Sequence, residues 1–261
     1  MSETILHCAG ATMRFGGLTA LDDVSFTLAR GQVLGVIGPN GAGKSTIFNL
    51  LTGIYRPQAG DITFFGQDLT RTAPHEIVRL GIARTFQTSR LFHDLSVLDN
   101  VLIGMHTRTT GGVLQAIFRH GKTRSQLERA AEEAGALLRA LSPTLFQDRL
   151  RPARELPQAD RRRLEIARAL AAAPKLLLLD EPSSGMDEDE TRQLVADIWR
   201  ICAERPDLSL IIIEHDMALV AELPDHVIVL DYGRKIAEGS FDEVRRTKSV
   251  QEAYLGRTLD A

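Results

Sequence analysis

Between an apolar run at residues 33–37 and a helix-like stretch beginning near Lys44 stands the octapeptide Gly38-Pro39-Asn40-Gly41-Ala42-Gly43-Lys44-Ser45. It has the spacing GxxxxGK[ST], and both flanking elements lie where such a loop needs them. Glycines let consecutive backbone N–H groups converge on an anion without Cβ clashes, and the helix that follows adds the positive end of its dipole. The ligand that fits is a nucleoside triphosphate, with Lys44 reaching the β and γ oxygens and the Ser45 hydroxyl ligating Mg2+. These eight residues and Thr46 form the expected nucleotide-binding set.

Further apolar bursts at residues 176–179, 210–213 and 227–230 alternate with helix-like stretches at 162–172 and 191–202, which predicts a largely parallel sheet covered on both faces. The first thirty residues and residues 61–65 read as an antiparallel layer, because short Gly- and Asp-containing turns join their strands. A chain of 261 residues fits one large α/β unit.

Composition narrows the function classes. A net charge of −3, 44% hydrophobic and 25% charged residues leave no global basic field for nucleic acid. Cys8 and Cys202 match no metal-ligand or CxxC spacing and read as packing thiols of a reducing compartment. The N-terminus has no basic segment followed by an apolar stretch, and no run approaches the roughly 18 apolar residues of a spanning helix, so a membrane role is expected to pass through a partner. One stretch is locally basic: no acidic residue lies between Asn100 and Glu128, while Arg108, Arg119, Lys122 and Arg124 surround an apolar patch at 113–118. It fits a solvated helical insertion, and it also fits a basic amphipathic helix resting on anionic headgroups.

Four leucines run into Asp180-Glu181, a buried parallel strand that ends at the edge where ligands bind. Alone, the acidic pair suits a helix cap or loop. Beside the Lys44 loop it suits Mg2+ coordination by Asp180 and activation of the attacking water by Glu181.

The order of these motifs resembles the ABC ATPase family over nearly the whole chain. That resemblance implies ATP and Mg2+ as cofactors and gives further residues their roles. Phe15, in Met13-Arg14-Phe15-Gly16-Gly17, falls where the family stacks an aromatic on adenine, although the residue alone equally suits a core aromatic beside a turn. Gln87, in Arg84-Thr85-Phe86-Gln87, matches the glutamine that senses Mg2+ and water. His215, in Ile213-Glu214-His215-Asp216, resembles the switch histidine at the γ-phosphate, where the sequence alone also allows a hydrogen-bonded histidine at a strand end. Ser183-Ser184-Gly185-Met186-Asp187 resembles the loop through which paired subunits communicate.

Several stretches are similar to the ATP-binding subunits of branched-chain amino acid importers: Arg14-Phe15-Gly16-Gly17-Leu18, Arg90-Leu91-Phe92, Arg163-Leu164-Glu165-Ile166-Ala167-Arg168 and Ala253-Tyr254-Leu255-Gly256. One motif departs. Where the family carries a sequence close to LSGGQ, this chain has Leu156-Pro157-Gln158-Ala159-Asp160. Pro157 offers neither hydroxyl nor N–H, and Gln158 and Ala159 put side chains where a phosphate should meet backbone. A helix from about Asp160 keeps its dipole, and residues 161–163 add positive charge nearby. The departure implies a heterodimer with a related subunit that has an intact signature, a homodimer being the alternative.

The expected architecture is a P-loop α/β core with a parallel sheet and an antiparallel β layer (residues 1–87 and 157–240), an inserted α-helical lobe at 88–156 and a C-terminal helix at 241–261. The resemblance implies an ATPase energising an importer of branched-chain or other amino acids, peripheral on the cytoplasmic face of the inner membrane. Its implied partners are permease subunits and, indirectly, a solute-binding protein, with no nucleic acid. Alternatives are an importer of another small solute (urea, amides, organic acids) or an ATP-binding subunit with little turnover. A two-cassette ATPase of DNA repair or translation does not fit, because the chain carries neither a second cassette nor a long coiled-coil insertion. A lipid exporter fits the basic stretch and the terminal Ala-Tyr-Leu-Gly less well.

Overall fold

Strands β1 (Thr4–Phe15) and β2 (Leu18–Ala29) form an antiparallel hairpin that pairs Phe15 with Leu18. β1 also pairs antiparallel with β4 (Ala59–Phe64), and β5 (Gln67–Asp68) completes a sheet of order β2-β1-β4-β5. The structure is a computed structural model that describes residues 3–85, 91–107 and 120–255, the side chains of 107, 120–127 and 255 excepted.

The second sheet has the order β10-β9-β3-β8-β7-β6, with β3 at Val33–Ile37, β6 at Ile82–Arg84, β7 at Leu176–Asp180, β8 at Ser209–Ile213, β9 at His226–Asp231 and β10 at Arg234–Gly239. Its strands run parallel except β10, which joins the edge antiparallel. β3, β7 and β8 are buried at every position, as their unbroken apolar runs predict for strands covered on both faces. Alternation divides them: Leu176, Leu178, Ile211 and Ile213 pack under the antiparallel layer, while Leu177, Leu179, Leu210 and Ile212 face the opposite core.

α1 (Lys44–Leu51) follows β3 and α2 (Pro74–Leu80) precedes β6, and both pack through Phe48, Leu51 and Ile77 on the side of the antiparallel layer. The later helices build the opposite core. Next come α3 (Val97–Gly104), α4 (His120–Leu141), α5 (Pro143–Gln147) and α6 (Gln158–Ala171), whose residues Val101, Leu138, Leu145 and Leu164 join the cluster beneath β7 and β8. α7 (Glu188–Glu204) and α8 (Met217–Glu222) complete that face. α6 and α7 start before the predicted 162 and 191: α6 follows Pro157 with no side-chain cap, whereas α7 begins at a true cap, Asp187 accepting a hydrogen bond from Glu190 N–H at 2.8 Å.

The expected single C-terminal helix is instead two, α9 (Phe241–Val244) and α10 (Lys248–Leu255). Side chains enforce the break. Thr247 Oγ1 donates back to the Glu243 carbonyl at 3.2 Å, and Gln251 Nε2 takes the Arg245 carbonyl at 3.1 Å. Val244, Val250 and Tyr254 then pack on Ile37, the last residue before the Gly-rich loop. Residues 256–261, Gln87 and the basic stretch over 108–119 lie outside the described residues.

Candidate active site

The sheet delivers the loop at residues 38–45 between β3 and α1, as the sequence predicts. Gly38 has φ +146°, and a Cβ there would meet the Leu230 carbonyl oxygen at 2.2 Å; Gly43 has φ +106°, and its Cβ would lie 2.5 Å from the Ala20 carbonyl. No other residue type fits either position. Gly43 is also the cap position of α1, where no side chain caps the helix and no acidic residue occupies the first turn. The N-terminal end of α1 is therefore left for an anion. Lys44 is buried, and its Nζ donates to the carbonyls of Gly38 at 2.6 Å and Pro39 at 3.0 Å. Two backbone oxygens hold the ammonium where phosphate oxygens would otherwise take it.

Asp180, at the end of β7, is 5% exposed, and its Oδ2 accepts from Arg84 at 2.7 Å. The same guanidinium donates to Asn49 Oδ1 of α1 at 2.7 Å, and its carbon lies 5.2 Å from the Phe48 ring centroid. Arg84 thus ties the acidic strand end to the helix behind the phosphate loop. Sequence reasoning quoted Arg84 without giving it a role. The sequence held the guanidinium but not its partner, because nothing in it places β6 beside β7.

Glu181 follows with φ +46°, a left-handed conformation that non-glycine residues rarely hold. Its N–H donates to the Ile213 carbonyl at 2.9 Å, so β8 fixes the turn. The carboxylate stands 4.0 Å from His215 Nδ1, which brings the two predicted residues together across the ends of neighbouring strands. Phe15 is partly exposed, with Tyr55 edge-on at 5.1 Å between centroids, so the aromatic is not a core residue.

The donor set also fits Mg2+. Among the described residues no group of three or more His, Cys, Asp or Glu could cage a metal. A hydroxyl and one carboxylate at a phosphate loop are the sparse oxygen set of an ion that keeps its waters and takes the rest of its shell from nucleotide.

The altered stretch at 156–160 alternates, with Pro157 and Gln158 exposed. Leu156 and Ala159 are buried, and Gln158 Nε2 donates to the Ser184 carbonyl at 3.3 Å. Two of the three positive charges predicted at 161–163 are paired within the protein: Arg163 Nε bonds Asp197 Oδ2 at 2.9 Å, and Arg162 pairs with Glu165 at 3.1 Å. Asp160 sits in the first turn of α6, its carboxyl pushed above the usual range by burial.

The profile of the family described as ABC transporter matches residues 21–184. The chain belongs to the ABC transporter family. It is 39% identical to the high-affinity branched-chain amino acid transport ATP-binding protein BraF of Pseudomonas aeruginosa over 98% of this chain and 99% of that one. To the corresponding LivG protein of Escherichia coli it is 36% identical, with the same coverage. Among solved structures it resembles the ADP conformation of MJ1267, an ATP-binding cassette of an ABC transporter, with a TM-score of 0.84, 32% identity and coverage of 98% and 100%. This ABC cassette therefore binds ATP and hydrolyses it in step with transport. Membership also brings permease partners in the membrane and the pairing of cassettes. Among the described residues no helix is long and apolar enough to cross a membrane, in keeping with peripheral association.

Proposed function

We propose that this cassette powers an importer of branched-chain or other amino acids from the cytoplasmic face of the inner membrane, where a solute-binding protein delivers substrate to the permease. Full-length similarity to BraF and LivG supports the amino acid branch. The closest support for the chemistry is one juxtaposition: the phosphate loop with Lys44 in its mouth, and the Glu181 and His215 side chains 4.0 Å apart at the neighbouring strand ends.

In this reading residues 38–46 wrap the triphosphate through backbone N–H groups, and Lys44 exchanges the Gly38 and Pro39 carbonyls for phosphate oxygens. Ser45, Asp180 and Gln87 hold Mg2+, which when bound neutralises charge on the phosphates. Glu181 orients the attacking water and takes its proton, His215 contacts the γ-phosphate, and Phe15 stacks on adenine against Tyr55. The core divides from a helical lobe at 88 and 156. Gln158 bonded in cis, the inward-facing Arg162 and Arg163, and Asp160 at the helix start all favour a poor phosphate clamp. A heterodimer follows, this chain's nucleotide being closed by the partner's signature.

The test is Glu181→Gln in the assembled transporter. Losing general-base catalysis should lower turnover about 10²- to 10⁴-fold while ATP still binds. Unchanged turnover with loss on disabling the partner's glutamate instead would place the working site on the other subunit.

A further inference from the structure

Glu214 immediately precedes His215, bonds to Ser183 on the loop that carries Glu181, and has no part in the mechanism above. Its side chain is 1% exposed. Its oxygens divide between two loops. Oε1 accepts from Ser183 N–H at 2.9 Å and from the Ser183 hydroxyl at 2.5 Å. Oε2 accepts from His215 N–H at 2.9 Å and Asp216 N–H at 3.2 Å, and it lies 3.7 Å from His215 Nδ1.

A carboxyl group is costly to bury, and a well-packed apolar side chain would fill the same volume at less cost. Four donors on two loops give this one a task that no apolar residue performs. Ser183 is two residues beyond Glu181, and Ser184 N–H donates to the Glu181 carbonyl at 3.2 Å, so the loop held by Oε1 carries Glu181. The loop held by Oε2 carries His215. We infer that Glu214 is a positioning residue that locks the Glu181 loop to the His215 loop and so sets their separation for attack on the γ-phosphate. The inference rests on the roles proposed for Glu181 and His215. The lock also reaches the altered signature, since the same loop's Ser184 carbonyl accepts from Gln158.

The isosteric change Glu214→Gln separates this role from packing. An amide has one acceptor oxygen and an NH2 group, so one loop must face donors with its own N–H. The Ser183 hydroxyl can turn to accept, but its N–H cannot, so the loop carrying Glu181 loses this tie beyond the turn while the Glu181 N–H bond to Ile213 remains. The experiment measures steady-state ATP turnover in the complete membrane assembly, affinity for a fluorescent ATP analogue, and melting temperature. A misplacement of about 1 Å can cost about 100-fold, so Glu214→Gln should lower turnover at saturating nucleotide roughly 10- to 100-fold. Nucleotide affinity should stay within about twofold, because only transition-state geometry is lost. Ser183→Ala, which keeps the carboxyl group and the backbone donors, should give a smaller loss and add little to Glu214→Gln. It also serves as the second variant if Glu214→Gln does not fold.

Two results overturn the inference: turnover near wild type in both variants while Glu181→Gln abolishes it, or parallel losses of affinity and turnover, the mark of a merely structural residue. Turnover that survives Glu181→Gln removes the site reading itself, a failure recognisable apart from the other two.

Discussion

Individual residues at the site act as pairs. Lys44 Nζ is held by two carbonyls of its own loop, which fixes the end of a long side chain at the loop's mouth. Lys44→Ala should weaken ATP roughly ten- to hundredfold, the about 1.5–3 kcal/mol of a hydrogen bond to a charged group, measurable by calorimetry. Arg84 poses the opposite case, because Asp180 is buried with it. Arg84→Ala strands a carboxylate in the core and should cost about 3–5 kcal/mol in a denaturant melt, more than most surface changes. Both partners stood in the sequence, Arg84 in a motif and Asp180 at a strand end. Their pairing was not legible, since it depends on β6 lying beside β7 across more than ninety residues.

Single elements show which local signals carry furthest. The antiparallel layer and the four apolar strands could be read because fully buried strands need unbroken apolar runs, and hairpins need Gly-bearing turns. Helix starts were read less well, since a cap is one hydrogen bond rather than a periodicity. Asp187, placed by resemblance in a communication loop, also closes a capping box with Glu190 at the start of α7. Asp187→Ala should therefore cost about 1 kcal/mol of stability whatever its effect on turnover, visible as a lowered melting temperature. The broken C-terminal helix escaped sequence reading for the same reason: Thr247 and Gln251 intercept backbone groups that a continuous helix would use. The role of Glu214 was equally hidden, although the residue stands next to His215, because its partners come from two separate loops.

Across the whole molecule, burial sets a boundary in pH. It pushes the Cys8 thiol up to about 12, the Cys202 thiol to about 11 and the Tyr254 hydroxyl to about 12. These groups stay protonated in the fold while the unfolded chain ionises from about pH 9 upward. The unfolded state then binds fewer protons, so stability falls as pH rises from about 9 toward 11. Melting temperature should be flat from pH 7 to 8.5 and decline above 9, with Cys8→Ala and Cys202→Ala together flattening part of that decline. Neither thiol should react readily with iodoacetamide near pH 8 in the folded protein.

The sheet order carries a further consequence for how the molecule comes into being. β3, the strand that ends in the phosphate loop, pairs on one side with β8 and on the other with β9, each more than 170 residues later in the chain. During synthesis at roughly 5–20 residues per second, β3 waits about 10–40 s for its second neighbour. Until then Leu230, whose carbonyl closes over Gly38, has not been made. The loop that defines the protein is translated well before the strands that shape it, so a nascent or truncated chain that stops short of β9 carries the motif without its phosphate cradle.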